Sequence, residues 1–219
     1  MVKFYRDFIL ENDLCYDIGA NIGERTDIFI QLGAKVVVVE PQTSCFLILQ
    51  NKCYKNNKTT LLNYAVGSQE KEDELLICDE STECSTLSSK FVSVYAQYSG
   101  LHWQKKEKIR VTTLDTIIKQ YGIPKFIKID VEGYESEVFK GLSSKINFIV
   151  FEFNRPLLND TKLCLDRLEE LGNCKCNFIK FEFMSLVLAE WLPIKEFKIQ
   201  LEQLITEDIL TGEIVVDFS

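Results

Sequence analysis

The stretch Leu14-Cys15-Tyr16-Asp17-Ile18-Gly19-Ala20-Asn21-Ile22-Gly23-Glu24 constrains this chain more than any other. An apolar run ends in an acid, a glycine-rich turn follows at once, and residues 25–32 read as a helix closed by Gly33. Gly19 and Gly23 lack Cβ, so the backbone can turn tightly there and a ligand can come close. The helix that follows aims its free N–H groups at the turn. Such a strand–turn–helix unit suits a nucleotide-like ligand. It is not the dinucleotide fingerprint, which needs glycine at every fixed place of G-x-G-x-x-G. Counted from Gly19, those places fall on Gly19, Asn21 and Glu24. What the chain carries instead is D-x-G-x-x-x-G.

Beyond the turn, strand and helix alternate. Residues 2–12 read as a short amphipathic helix with Phe4, Phe8 and Ile9 on one face. Residues 35–40, Lys-Val-Val-Val-Val-Glu, form the β-branched run of a strand buried on both faces of a parallel sheet, and Pro41 stops it. The pattern predicts a helix over 44–55, a strand over 61–66 and strands over 74–79 and 108–113. A helix over 114–121, a strand over 125–130, a helix ending near Gly141 and a strand over 146–153 follow. A helix over 161–171 capped by Gly172, strands over 175–181, 185–189 and 213–218, and a helix over 194–205 complete the chain. This order predicts an α/β fold with a mostly parallel central sheet, helices on both faces and a final antiparallel strand at one edge. No internal repeat, linker or low-complexity tract interrupts residues 1–219, so a single domain is expected, with excision from a longer chain left open. The polar segment 80–106 holds Ser81, Thr82, Ser85, Thr86, His102 and Trp103, and reads as an inserted lid.

In an open α/β sheet, ligands sit beyond the C-terminal ends of the strands. Acids occupy those ends here: Asp17, Glu40, Asp130 and Glu152. Glu40 closes the second strand roughly 20 residues after the glycine-rich turn, where an acid accepts from the hydroxyls of a ribose.

Taken in order, D-I-G-A-N-I-G-E, V-V-E-P, N-Y-A-V-G, V-T-T-L-D, K-I-D-V-E-G-Y-E and V-F-E-F resemble the FkbM family of S-adenosylmethionine-dependent methyltransferases over roughly residues 13–153. K-I-D-V-E-G-Y-E is the most family-specific piece. The resemblance implies a Rossmann-like class I methyltransferase fold and, usually, O-methylation of a hydroxyl on a sugar or natural product. It implies that Asp17, Gly19, Asn21, Gly23 and Glu40 bind the cofactor, with Asp17 accepting from its ammonium and backbone N–H groups meeting its carboxylate. Ala65 and Val66 would line the adenine, and Asp130 and Glu132 would face the reacting methyl. The acceptor, a deoxyhexose or other sugar on a glycan or glycolipid, is the business of regions the resemblance leaves silent.

Methyl transfer from a sulfonium is an in-line displacement on an activated donor, so positioning the acceptor oxygen is the protein's main task. A sugar hydroxyl keeps its proton at neutral pH, and a general base or a divalent metal such as Mg²⁺ or Mn²⁺ helps remove it. Asp130, Glu132, Glu152 and His102 are the candidates, the three acids doubling as metal ligands. His102 is the chain's one histidine, the residue type that changes charge near neutral pH. Trp103 beside it could stack on a sugar ring or anchor the loop. The rival readings are methylation of a non-sugar hydroxyl, a nicotinamide-dependent oxidoreductase, and a cofactor-binding fold without catalysis. The missing glycines count against the second and the acids at the strand ends against the third.

A net charge of −8 disfavours nucleic acid and anionic membrane surfaces as partners and leaves a small molecule or glycan as the acceptor. The longest apolar runs are strand-sized, and no signal-peptide hydrophobic region follows Met1, which together predict a cytoplasmic chain. The eight cysteines form no C-x-x-C pair and several sit in apolar patterns, so buried reduced thiols are expected rather than disulfides or zinc.

Overall fold

Each crossover returns the chain to one side of the first strand until the fourth helix has passed, and then the direction reverses. This is seen in a computed structural model, which describes residues 1–97, 100–180, 185–206 and 209–219. In chain order the elements are α1 (Val2–Tyr5), β1 (Leu14–Ile18), α2 (Glu24–Gln31), β2 (Lys35–Val39), α3 (Thr43–Cys53) and β3 (Thr59–Leu62). Next come β4 (Ala65–Val66), β5 (Lys71–Ile77), α4 (Ser89–Tyr95), β6 (Lys105–Thr112), α5 (Leu114–Tyr121) and β7 (Phe126–Ile129). The chain ends with α6 (Glu135–Lys140), β8 (Phe148–Asn154), α7 (Leu158–Leu171), β9 (Lys175–Ile179), β10 (Leu192–Pro193), α8 (Ile194–Leu204) and β11 (Thr211–Asp217).

The main sheet has the order β10-β9-β11-β8-β7-β1-β2-β3. Strands β3, β2, β1, β7 and β8 run parallel. β1 pairs with β2 on one side and β7 on the other, so the switch point lies at the C-terminal ends of β1 and β7. The final strand is antiparallel, but it lies between β8 and β9 rather than at the edge. The edge belongs to the short β10, antiparallel to β9. Insertion of β11 brings Glu213 alongside Glu152, with consequences for the site.

Period-two alternation divides the core. Val37 and Val39 face one layer with Ile127, Ile129 and Phe151 under α5 to α8. Val36 and Val38 face the other with Phe126 and Val150 under α1 to α3. The all-valine run of β2 therefore reads correctly as a strand covered on both faces.

The expected strand over 61–66 is two strands in two sheets. Pro41 supplies no N–H, and Asn63 Nδ2 donates to the carbonyls of Glu40 and Pro41 at 2.9 and 3.0 Å, which ends pairing with β2. Ala65–Val66 then joins β5 and β6 in a second, three-stranded sheet in the order β4-β6-β5. The expected helix over 2–12 stops after Tyr5, where the bonding changes to i−3 turns, Asp7 N–H donating to Phe4 at 3.2 Å and Phe8 N–H to Tyr5 at 3.0 Å, and Asn12 farther on takes a left-handed φ of 69°. The expected strand over 185–189 is a single bridge from Leu186 to Ile179, the Asn177 side chain bonding both backbone groups of Leu188 in place of a ladder. Residue 181, the end of another expected strand, lies outside the described residues. The eight cysteines are free.

Candidate active site

Sequence places an acid and a glycine where β1 ends, and the geometry shows why both are needed. Gly19 has φ +77°, and a Cβ on it would lie 1.7 Å from the Asp130 carbonyl oxygen. Its N–H donates to Val39 at 2.9 Å, while Asp130 N–H donates to Ile18 at 2.9 Å. The glycine thus lets the ends of β1, β2 and β7 meet at one point. Gly23, φ +85°, starts α2 with its Cα against Leu49.

Asp17 is buried on β1 and accepts from Thr26 Oγ1 at 2.5 Å. Burial pushes its carboxyl up to about 6, against the opposing pull of the Thr26 hydrogen bond and the Lys128 charge. Glu40 is also buried, and its two oxygens accept from Asn21 N–H at 2.8 Å and Gln42 N–H at 2.7 Å. It therefore braces the glycine-rich turn as well as facing the cleft. Burial pushes Glu40 up to about 7, and Glu135 likewise to about 7 although it accepts from Val131 and Gly133 N–H.

These shifts set a pH dependence. Each acid is harder to ionise folded than unfolded, so between roughly pH 4.5 and 7 the native state holds protons that the unfolded chain has lost, and stability falls as pH rises through that window. The melting temperature of the unliganded protein should drop by about 5 °C or more from pH 5 to pH 8. A melting series in matched ionic strength checks this, and a rising melting temperature over that range would contradict it.

At the ends of β7 and β8 stand Asp130, Glu132 and Glu152, each offering a carboxylate oxygen within 4.8 Å of the others. Glu132 has a left-handed φ of 53°, and its carbonyl accepts from Thr86 Oγ1 at 2.7 Å. Glu152 accepts from Thr211 Oγ1 at 3.0 Å and Asn154 Nδ2 at 3.3 Å. Burial, and then the charge of the neighbouring acids, pushes both Glu132 and Glu152 well above the usual carboxylate range. Asp130 is the more exposed, and its Oδ2 accepts from Lys128 Nζ at 2.9 Å. Lys128 is fully enclosed and lies 3.2 Å from Glu213, which is also fully buried.

Two connected clefts open on this edge. One, about 540 Å³ with its mouth included, is lined by Glu40, Tyr64, Ala65, Val66, Leu75 and Tyr134. The other, about 880 Å³ measured the same way, is lined by Asp17, Arg25, Lys128 and Glu152 among others. Gly19, Asn21, Asp130 and Glu132 border both. Thr82, Ser85, Thr86 and Leu87 of the 80–106 segment form the outer wall of the first cleft, and the Thr82 hydroxyl donates to Asn21 Oδ1 at 3.1 Å. Phe91 on α4 is buried and anchors that wall.

The structure brings Asp17, Gly19, Asn21, Glu40, Ala65, Val66, Asp130, Glu132 and Glu152 onto these two clefts and sets Gly23 just behind them. It does not bring His102 there. The His102 ring is exposed and pairs through Nδ1 with Glu80 at 2.7 Å. Trp103 proves to be a loop anchor, its indole N–H donating to the Cys84 carbonyl at 2.8 Å. Sequence reasoning missed Arg25, Glu213 and the enclosure of Lys128. A lysine inside the apolar run Phe-Ile-Lys-Ile was a signal, since a charge on a strand covered on both faces needs buried partners.

A curated relative, the hexuronic acid methyltransferase AglP of Haloferax volcanii, is 28% identical over 153 residues, 66% of this chain and 57% of that protein. The chain thus spans a little over half the length of that relative. Among solved structures, a TehB-like SAM-dependent methyltransferase from Corynebacterium glutamicum shares 8% identity with a TM-score of 0.49, over 99% of this chain and 85% of its own. Fibrillarin from Aeropyrum pernix, in complex with S-adenosyl-L-methionine, shares 7% with a TM-score of 0.49, over 94% and 67%. At that level of likeness they add nothing to the topology described above. The methyltransferase FkbM domain matches residues 17–180, from the acid of β1 to just past β9, and by that match over most of its length the chain belongs to the FkbM methyltransferase domain family.

Proposed function

We propose that this chain transfers a methyl group from S-adenosylmethionine to a hydroxyl of a sugar. The observation that carries the reading is the carboxylate trio of Asp130, Glu132 and Glu152 beside a cleft with an acid at one end and apolar walls. The residues present fit the donor. Ala65, Val66 and Leu75 offer an apolar slot for an adenine, and Glu40 stands at the second strand's end for the ribose hydroxyls. When bound, S-adenosylmethionine supplies a methyl already activated on a sulfonium. Asp130 is the base that takes the hydroxyl proton, with Glu132 and Glu152 orienting the acceptor by hydrogen bonds. Three hard oxygen donors this close also fit Mg²⁺ or Mn²⁺, which they would hold to polarise the acceptor oxygen. The AglP name points to a sugar acceptor.

The test is transfer of labelled methyl from S-adenosylmethionine onto a panel of neutral hexosides, deoxyhexosides and hexuronates. Mild base then separates the products: a methyl ether survives, a methyl ester is cleaved. Label that resists base on a sugar supports the reading. Label lost entirely to base would move the acceptor from a hydroxyl to a carboxylate.

Glu40→Gln should weaken binding of S-adenosylhomocysteine by about 1–3 kcal/mol, the scale of charge-assisted hydrogen bonds. Calorimetry reads this, with the melting temperature alongside because Glu40 also holds two backbone amides. Undiminished affinity would remove Glu40 from the ribose role. The wall formed by Thr82–Cys84 and α4 should close on the ligands as a lid, gaining hydrogen-exchange protection when S-adenosylhomocysteine binds. Equal protection with and without ligand would leave it a fixed wall.

A further inference from the structure

Half of the residues lining the second cleft are acids: Asp17, Glu24, Glu83, Asp130, Glu132 and Glu152. A carboxylate entering it finds charge attraction only near a cation, and Arg25 and Lys128 supply the positive charge of its lining. Lys128 is engaged, fully enclosed with Asp130 at 2.9 Å and Glu213 at 3.2 Å. Arg25 is not. Its nearest acids, Glu213 and Glu24, stand at 3.8 and 4.0 Å, beyond hydrogen-bond reach. Nη1 rests 2.8 Å from the Met1 thioether, a weak acceptor, and Nε donates to nothing among the described residues. The side chain is 19% exposed and lines the cleft. Its place in the first turn of α2, directly after the glycine-rich turn, puts it on the same cleft as Gly19 and Asn21, which border both clefts.

We propose that Arg25 anchors the carboxylate of the donor's methionyl group, in place of the backbone N–H groups expected from the family resemblance. This rests on the reading of the chain as an S-adenosylmethionine enzyme. With adenosine in the first cleft, the amino-acid end must pass Gly19 and Asn21 into the second. There it meets acids for its ammonium and a guanidinium for its carboxylate, the fork matching two carboxylate oxygens at once. The guanidinium, which unlike Lys128 has no carboxylate at hydrogen-bond distance among the described residues, therefore fixes which way round the zwitterion lies. The same chemistry would serve the carboxylate of a uronate acceptor, but the position of Arg25 against the glycine-rich turn favours the donor.

The experiment compares binding of S-adenosylmethionine with decarboxylated S-adenosylmethionine, which keeps the sulfonium and the amine, in the wild type, Arg25→Met and Arg25→Lys. Wild type should prefer the intact donor by about ten- to a hundredfold. Arg25→Met should lose that preference while binding the decarboxylated compound within about threefold of wild type. Retained binding of the decarboxylated compound also shows that the variant is folded. Arg25→Lys, which keeps the charge and loses the fork, should fall between. Equal binding of the two compounds by wild type overturns the proposal without any variant, as does an Arg25→Met protein that keeps the preference. If Arg25→Met changes only the KM for a uronate acceptor, the arginine serves the acceptor and the proposal fails. If wild type binds neither compound, the underlying reading of the cofactor fails, an outcome distinct from the others.

Discussion

Lys128→Met should destabilise the protein by about 3–5 kcal/mol, the cost of breaking a buried ion pair by removing one partner. Lys128 is wholly enclosed on β7, and its ammonium is shared between Asp130 and Glu213. Among the described residues, Glu213 has no hydrogen-bond partner for either carboxylate oxygen, and the fully buried Tyr5 hydroxyl near it has none. Methionine fills the lysine's volume, so the loss is electrostatic rather than a cavity. Among the described residues it leaves Glu213 with Arg25 as its one ion-pair partner, at 3.8 Å. The double variant Lys128→Met/Glu213→Gln should recover much of the loss, because the uncompensated charge is then gone. Chemical denaturation of both variants reads the coupling. A single variant as stable as wild type, or a double variant no better than the single, would show that Lys128 and Glu213 do not compensate one another.

This network marks the boundary of what the sequence makes legible. The strands of the parallel sheet are legible because burial on both faces leaves unbroken runs such as Lys35–Val39 and Phe148–Asn154. The acids of the site are legible because they end such runs, where an open sheet binds its ligands. Arg25 and Glu213 meet only because β11 inserts between β8 and β9, a choice of strand order that no local pattern encodes. The split of the 61–66 run depends on one Asn63 amide bonding two carbonyls, and asparagine there reads equally well as a strand end. His102 had the right residue type, but its place in a polar segment said nothing of where the segment would lie. It pairs with Glu80 at the surface.

Asp130→Asn should lower turnover by roughly a hundredfold or more, the usual worth of a positioned acid–base group, while S-adenosylhomocysteine affinity changes far less. The expectation rests on placement. Asp130 ends the strand that pairs with β1, borders both clefts, and is the most exposed of the charges tied to Lys128. Glu132 and Glu152 beside it are pushed upward by burial and then by neighbouring acids, Glu152 and Asp130 acting on Glu132, and Asp130 and Glu135 on Glu152, so they are held toward their neutral forms and suited to orient an oxygen rather than strip it. Asparagine keeps the shape of Asp130 but neither the charge nor the proton affinity. If the carboxylate only pairs with Lys128, the substitution should lower the melting temperature and leave the rate per folded molecule near wild type. Measuring turnover against the folded fraction separates the two roles. A chelator titration divides the active ones. Activity lost in EDTA and restored by Mg²⁺ or Mn²⁺ assigns Asp130, Glu132 and Glu152 to a metal. Activity unchanged in EDTA leaves Asp130 as the direct base. An Asp130→Asn enzyme that turns over like wild type would take this carboxylate out of the reaction and leave Glu152, deeper on β8, as the acid to substitute next.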